Sequence, residues 1–102
     1  MVNLSQTGDG TFMLHFEGDF TFNSHNHFRI AIKDALHQQA SSLNISLKGV
    51  KYIDSSALGM LLLAMEECKA KNCKMSVTEA SGYVADVLNM VMLEKLVDRA
   101  QA

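Results

Sequence analysis

Strand-like and helix-like patterns of apolar residues alternate along this chain from residue 11 onward. Apolar residues at every second position predict strands over residues 12–16, 43–47 and 75–77. Apolar residues at spacings of three and four predict helices over residues 23–39, 55–72 and from residue 81 onward. Strands that alternate with helices predict right-handed βαβ crossovers and a sheet that contains parallel strand pairs.

The first two strands are predicted to form a hairpin, so the sheet is expected to be mixed. Val2 and Leu4 alternate with polar neighbours, and Gly8-Asp9-Gly10 supplies a turn into the next strand. Several strands alternate apolar with polar residues, which predicts helices mainly on one face of the sheet. The expected fold is α/β with a sheet of four or five strands, because residues 93–97 fit either a last short strand or a further helix.

Composition and charge indicate how many domains the chain forms and which classes of partner it can bind. The chain has no Pro, no linker-like stretch and no internal repeat, so residues 1–102 are predicted to form a single domain. A net charge of −2 with scattered Lys and Arg argues against a nucleic-acid partner. The longest apolar run, residues 60–65, is far shorter than the roughly 20 residues that cross a bilayer. Because the N-terminus also lacks a signal pattern, we expect a cytoplasmic protein without membrane insertion.

Neither the cysteines nor the histidines are spaced like metal ligands. Cys68 and Cys73 are separated by four residues, which fits neither a redox motif nor half of a zinc site, so they are predicted to be reduced structural thiols. His25 and His27 lie near a helix start and are predicted to be surface or capping residues. The chain has no G-x-S-x-G elbow and no glycine-rich phosphate loop. We therefore expect a protein that is not an enzyme and that uses no cofactor or metal.

Residues 52–65, YIDSSALGMLLLAM, carry the strongest functional signal in the sequence. Asp54, Ser55 and Ser56 stand where a strand-like run gives way to an apolar helix. Free backbone N–H groups and the positive end of the helix dipole favour a negative charge at such a junction, so a serine there could accept a phosphate at low cost. The simplest role for either serine is to cap the helix, but Asp54 could equally be the cap and leave a serine free.

The helix that follows is more apolar than a single buried stripe requires. Its predicted core stripe comprises Leu58, Leu61, Leu62, Met65 and Cys68. A second group falls largely off that stripe and comprises Ala57, Met60, Leu63 and Ala64. Either neighbouring helices bury the excess or it forms a docking patch for another protein. Gly59 is predicted to avoid crowding the strand or an incoming partner, because an interior helix glycine costs about 1 kcal/mol against Ala.

The segment from Tyr52 to Met60 resembles the signature of STAS domains, the fold shared by bacterial anti-sigma factor antagonists and the cytoplasmic tails of sulphate transporters. The family pattern Asp-Ser-Ser/Thr-Gly-Leu-Gly is similar to Asp54-Ser55-Ser56-Ala57-Leu58-Gly59 in this chain. The earlier Gly18-Asp19-Phe20 looks like the Gly-Glu-Leu/Ile that ends the family's second strand, and the element order matches along the whole chain.

The resemblance implies a phosphorylation-switched regulator that exchanges partners. In antagonists of this type the serine after the Asp is phosphorylated by a partner kinase, which implies Ser55, with Ser56 as the fallback. The implied partners are a serine kinase or anti-sigma-type regulator, bound by the unphosphorylated form, and a PP2C-type phosphatase that restores it. A phosphate beside the apolar helix start would oppose docking, because the partner would have to desolvate about two negative charges. The residues predicted to contact the partner are Asp19, Thr21, Asp54, Ser56, Ala57, Gly59, Met60 and Leu63.

Two departures from the family pattern leave the pathway open. Ala57 stands where Gly is usual, and Thr21 stands where many antagonists have an acid. The second change falls on the surface that would face the kinase, so regulators other than sigma-factor regulators, with outputs such as biofilm formation or motility, are equally compatible. The alternative function is a STAS scaffold subunit of a transporter or stressosome-type complex that does not cycle.

Overall fold

The computed structural model describes residues 2–92, and the side chains of residues 2–90. A turn of 3-10 helix at Phe22–Ser24 precedes the first α-helix. The strands and α-helices alternate after the initial hairpin, in the order β1 (Val2–Gly8), β2 (Thr11–Phe16), α1 (His25–His37), β3 (Ser42–Ser46), α2 (Ser55–Ala70), β4 (Lys74–Thr78) and α3 (Gly82–Met92).

The four strands form one mixed sheet in the order β1-β2-β3-β4. β1 pairs with β2 antiparallel, with Val2 opposite Phe16. β2 pairs with β3, and β3 with β4, in parallel, so that Leu43 lies between Phe12 and Met75. This confirms the predicted α/β fold with a mixed sheet of four or five strands. The prediction for residues 93–97 lies outside the described part of the chain.

The two faces of the sheet differ in polarity. One face carries the fully buried side chains of Leu14 and Ile45, which belong to the hydrophobic core. On the other face, Asn44 Oδ1 accepts hydrogen bonds from Thr78 Oγ1 at 2.8 Å and from Ser76 Oγ at 3.4 Å. A sheet face that is held by polar side chains in this way does not need a covering helix layer. The helices lie mainly on one face, as predicted.

Helix α1 covers the sheet through one apolar stripe. Phe28 and Ile32 are buried, and Phe28 joins a cluster of three rings. The centroid of Phe20 lies 4.1 Å from that of Phe16 and 5.3 Å from that of Phe28. Such ring pairs contribute about 0.5–1.5 kcal/mol each beyond their buried area. The cluster fixes Phe20, and with it the chain segment that enters the 3-10 turn.

Helix α3 contributes Val84 and Leu88 to the core. Tyr83, which its helical spacing placed on the same inner face, is instead 52% exposed. Its ring stacks on Tyr52 at a centroid distance of 5.9 Å and an interplanar angle of 5°. Helical spacing alone therefore does not decide the environment of Tyr83, because an aromatic neighbour outside the core holds this side chain at the surface. Within residues 2–92, no helix combines the length and the apolar character that a membrane span requires.

Candidate functional site

Asp54 caps helix α2 and also holds a second segment of the chain. Its Oδ1 accepts a hydrogen bond from the Ala57 N–H at 2.8 Å, which is the usual bond of an N-cap side chain. Its Oδ2 accepts the N–H of Phe22 at 3.1 Å. Of the two capping roles that the sequence left open, the one in which Asp54 is the cap is confirmed, and the serines are not the cap.

The segment that contains Asp19 and Thr21 lies beside this junction. Phe20 and Ile53 form a parallel bridge, in which the Phe20 N–H donates to Tyr52 O at 3.0 Å and the Asp54 N–H donates to Phe20 O at 3.3 Å. Thr21 caps the 3-10 turn, since its Oγ1 accepts from the Asn23 N–H at 3.3 Å. The structure thus brings the two sequence-predicted segments together. Residues 50–53 form no strand beyond this one bridge.

Ser55 and Ser56 are the first two residues of α2, and both are exposed. Backbone N–H groups of a first helical turn have no partner within the helix, and no acidic side chain lies in the first turn of α2. At about 100° per residue, Ser56 shares a helix stripe with Met60 and Leu63, whereas Ser55 lies nearer to the stripe of Gly59. Both hydroxyl groups are therefore accessible, but they face different parts of the surface.

The stripe of α2 that packs on the sheet differs from the predicted one. The buried residues are Ala57, Leu61, Ala64 and Cys68. The sequence prediction placed Ala57 and Ala64 off the core stripe, and this was wrong because their small side chains bring the helix close to the sheet. Leu58, Leu62 and Met65 are only half-buried. Ala57 is 0% exposed, so its side chain cannot contact a partner in this structure.

An apolar surface lies next to the serines, and we call it the docking patch. It comprises Phe22, Gly59, Met60 and Leu63. Leu63 is 64% exposed and Phe22 is 60% exposed, while Met60 is half-buried. The ring of Phe22 stacks on His25 with centroids 5.1 Å apart. Phe22 was not singled out from the sequence, since a single Phe in a loop is more often buried than exposed.

Gly59 has no structural requirement within the described residues. A Cβ atom built at this position meets no atom within 4 Å outside its own helix and its chain neighbours, and the position is exposed. The prediction that a side chain would crowd the strand was therefore wrong. The other predicted reason, close approach of a partner, stays a prediction.

A groove between α1 and α2 continues from the docking patch along both helices. The end next to the patch has a volume of about 320 Å³, with Phe28, Ile32 and Ala64 as its buried floor and Met60 and Leu63 on its rim. Glu67 lines this end and also the next depression, of about 330 Å³, where Lys33, His37 and Lys71 face the groove. Arg29 also lines the patch end, where Glu67 offsets its charge, whereas Lys33 and Lys71 outnumber Glu67 at the other end. The α1–α2 groove therefore carries its net positive charge at the end away from the patch.

Both cysteines are free and buried, as the sequence predicted. Burial is the largest cause that raises the pKa of Cys68 from 9.0 to about 12, and the neighbouring Cys73 adds to the shift. Burial also raises the pKa of Cys73. The two thiols are thus protonated at neutral pH. Residues 2–92 contain no group of His, Cys, Asp and Glu side chains that is arranged to hold a metal ion.

A mixed four-stranded sheet with an Asp-Ser-Ser junction at the start of its second α-helix defines the class of STAS domains. The family model described as "Mlab, STAS domain" matches residues 3–98, and the chain belongs to this family. A STAS-domain containing protein of Pseudomonas aeruginosa (strain UCBPP-PA14) is 33% identical over 86 residues, which are 81% of each chain.

Solved structures with low sequence identity share the fold. The anti-sigma factor antagonist SpoIIAA in its unphosphorylated form has a TM-score of 0.73 and 19% identity, and the match covers 100% of this chain and 99% of that one. The Bacillus cell fate determinant SpoIIAA in the phosphorylated form has a TM-score of 0.74 and 20% identity, covering 92% and 86%. The murine anion transporter Slc26a9 has a TM-score of 0.74 and 14% identity, covering 89% of this chain and 16% of that one.

Proposed function

We propose that this protein is a phosphorylation-switched binding protein that acts as an anti-sigma factor antagonist does. In this proposal the unphosphorylated form docks on a serine kinase or anti-sigma-type regulator, and phosphorylation of Ser55 releases it. A PP2C-type phosphatase restores the docking form. The protein itself carries out no catalysis and needs no cofactor. Its structural likeness to SpoIIAA, which has solved structures in unphosphorylated and phosphorylated forms, supports a switch of this kind.

The observation that carries the proposal is the position of an exposed Ser55 beside an exposed apolar patch. Asp54 already caps α2, so the serine hydroxyl groups are left without a capping role. A phosphate at Ser55 would lie at the positive end of the helix dipole, where its charge is stabilised. Gly59 and Leu63 follow on the exposed side of the same helix. A partner that packs on them would have to remove water from the phosphate, and this opposes binding.

The segment from Asp19 to Phe22 completes the proposed contact surface. The Asp54 carboxylate holds the Phe22 backbone, so the 3-10 turn and the start of α2 present one continuous face. Asp19, Thr21, Ser56 and Met60 remain proposed contacts of this face. The buried side chain of Ala57 lies beneath this face and supports it, but does not itself contact the partner.

Mass spectrometry tests the proposal directly. The protein is incubated with ATP and a serine kinase of the histidine-kinase-like ATPase class from the same organism, and a species heavier by about 80 Da is expected. Ser55→Ala should abolish this species, while Ser56→Ala should retain it. Loss in Ser56→Ala alone would move the switch to the fallback serine.

The second proposed function is a scaffold subunit that does not cycle, for which the likeness to a region of an anion transporter is the supporting observation. Binding of the regulator by calorimetry separates the two functions. The switch predicts that Ser55→Asp weakens binding and that Ser55→Ala preserves it. If neither serine is modified and binding survives acidic substitution at both, the scaffold function replaces the switch.

A further inference from the structure

We propose that the partner's docking element is an amphipathic helix with apolar residues at one end and carboxylates at the other, lying along the α1–α2 groove. The proposal names the chemistry of the partner's contacting element, so it rests on the proposed function only in that this side of the molecule binds a protein. It adds the distal, basic half of the groove to the binding surface.

The charge of the groove is opposite to that of the chain as a whole. Among the residues whose side chains the structure describes, Arg29, Lys33 and Lys71 line it together with one carboxylate, Glu67, which leaves two net positive charges. The whole chain has a net charge of −2. The other nearby acids, Asp34 on α1 and Glu66 on α2, do not line the groove. A basic strip on an acidic protein favours an acidic ligand.

The cations form a row rather than a scatter. Arg29 and Lys33 lie four residues apart on α1, which places them on one helix face toward α2, and Lys71 at the end of α2 completes this basic row. None of the three cationic side chains named above forms an ion pair with a carboxylate in residues 2–90, so their charge is not already neutralised there. Carboxylates of a ligand would supply the missing counter-charges.

The apolar end of the groove is continuous with the docking patch. Met60 and Leu63 belong to both. His25 also lines the groove, and its ring stacks on Phe22 of the docking patch. The distance along α2 from Met60 to Lys71 is about 16 Å at 1.5 Å per residue, which matches three turns of a helix. One short helix can therefore contact the patch and the basic row at the same time.

A helix suits this groove better than an extended segment. The backbone groups of α1 and α2 are bonded within their own helices, so the groove offers no free edge for strand pairing. An extended ligand would leave its own N–H and C=O groups unpaired against the buried floor of Phe28, Ile32 and Ala64. A helix satisfies these groups internally.

Two fluorescein-labelled helical peptides of about 14 residues test the proposal by anisotropy with the full chain. Both carry the same leucines at one end; the other end carries glutamates in the first peptide and lysines in the second. The glutamate peptide is expected to bind about ten-fold more tightly, because its charges are attracted where those of the lysine peptide are repelled. Amide shifts in NMR spectra should map to Arg29, Lys33, Leu63 and Lys71.

Matched charge reversals provide the control. Lys33→Glu combined with Lys71→Glu should remove the preference for the glutamate peptide, whereas Lys48→Glu combined with Lys74→Glu changes the net charge equally outside the groove and should preserve it. Equal binding of both peptides, or equal effects of the two double variants, overturns the proposal. So does tighter binding of a single-stranded oligonucleotide, or a dimer in sedimentation that Leu63→Ala dissociates.

The experiments can refute the serine switch and the groove proposal independently of each other. If the glutamate peptide binds as expected but the regulator binds Ser55→Asp and Ser55→Ala equally, the groove stands and the switch is refuted. If the regulator discriminates between these two variants while the peptides are bound equally, the switch stands and the groove proposal is refuted.

Discussion

Asp54 and Phe22, 32 residues apart in sequence, are joined by a hydrogen bond from the Phe22 N–H to the Asp54 carboxylate at 3.1 Å. The other oxygen of the same carboxylate caps α2. One side chain thus positions both the start of the helix that carries Ser55 and the turn that carries Phe22. The geometry of the candidate site depends on this residue more than on either serine.

Replacing Asp54 should separate its two contacts. Asp54→Asn can keep the cap on the Ala57 N–H, because Asn is a good N-cap, but its NH₂ group cannot accept from Phe22. Asp54→Ala loses both bonds and is expected to cost about 1–2 kcal/mol in the free energy of unfolding, measured in urea. Hydrogen exchange of the Phe22 amide should become faster in both variants. Ala57 exchange should become faster only in Asp54→Ala, and unchanged Phe22 exchange would contradict the bond.

Gly59→Ala should stabilise the protein and weaken docking. The added Cβ meets no neighbour within the described chain, and Ala in a helix interior is more favourable than Gly by about 0.5–1 kcal/mol. Thermal and urea unfolding measure this gain. The same methyl group would stand between α2 and a closely packed partner, so affinity for the regulator is expected to fall. A stabilised variant that binds normally would remove Gly59 from the interface.

Ser55→Asp is expected to lose binding without losing stability. A carboxylate at the first position of α2 interacts favourably with the helix dipole, which gives about 0.3–1 kcal/mol at low ionic strength. Urea unfolding should therefore show equal or greater stability than for the parent protein, with the difference declining in added salt. Ser55→Ala serves as the uncharged control. A destabilised Ser55→Asp would mean that any loss of binding reflects misfolding rather than a charge at the interface.

The buried Cys68 thiol should make stability sensitive to alkaline pH. Its pKa is raised from 9.0 to about 12 in the folded protein. Above the unfolded-state pKa the unfolded chain loses this proton while the folded chain keeps it, so stability falls as pH rises. The fall ends near the folded-state pKa and amounts to at most about 1.4 kcal/mol per pH unit.

Urea unfolding between pH 8 and the folded-state pKa of about 12 compares the parent protein with Cys68→Ala. The variant is expected to be less stable at every pH, because it leaves a cavity, but its alkaline slope should be shallower. The test therefore compares how steeply the free energy of unfolding falls with pH in the two proteins, not their stability at one pH. Parallel slopes for the two proteins would show that other groups dominate the alkaline dependence.

The spacing of apolar residues predicted the strands correctly, but it did not predict which side of α2 faces the sheet. Leu43 and Ile45 alternate with polar residues, which predicts that they share the core face of β3, and both are buried. Helix α2 is apolar nearly all round at its start, so periodicity alone cannot select its inner face. The choice depends on the fit to the sheet, where Ala57 and Ala64 allow close approach.

The parts of the site that the sequence did not reveal depend on contacts between distant segments. The bond between Phe22 and Asp54 uses a backbone donor, which no residue type signals. Tyr83 fits the inner stripe of α3 by spacing, yet its stacking partner Tyr52 comes from a separate loop. The basic row of the groove combines side chains from α1 and α2, and in the sequence those cations look scattered.

The order of the strands in the sheet bears on how the protein is made. Each of β2, β3 and β4 pairs with the strand immediately before it in the chain. Within residues 2–92, no strand has to enter between two that are already paired, so this sheet can grow from one edge while the polypeptide is still leaving the ribosome. The Asp54 cap and the serines become available once β3 has been added, before β4 is complete.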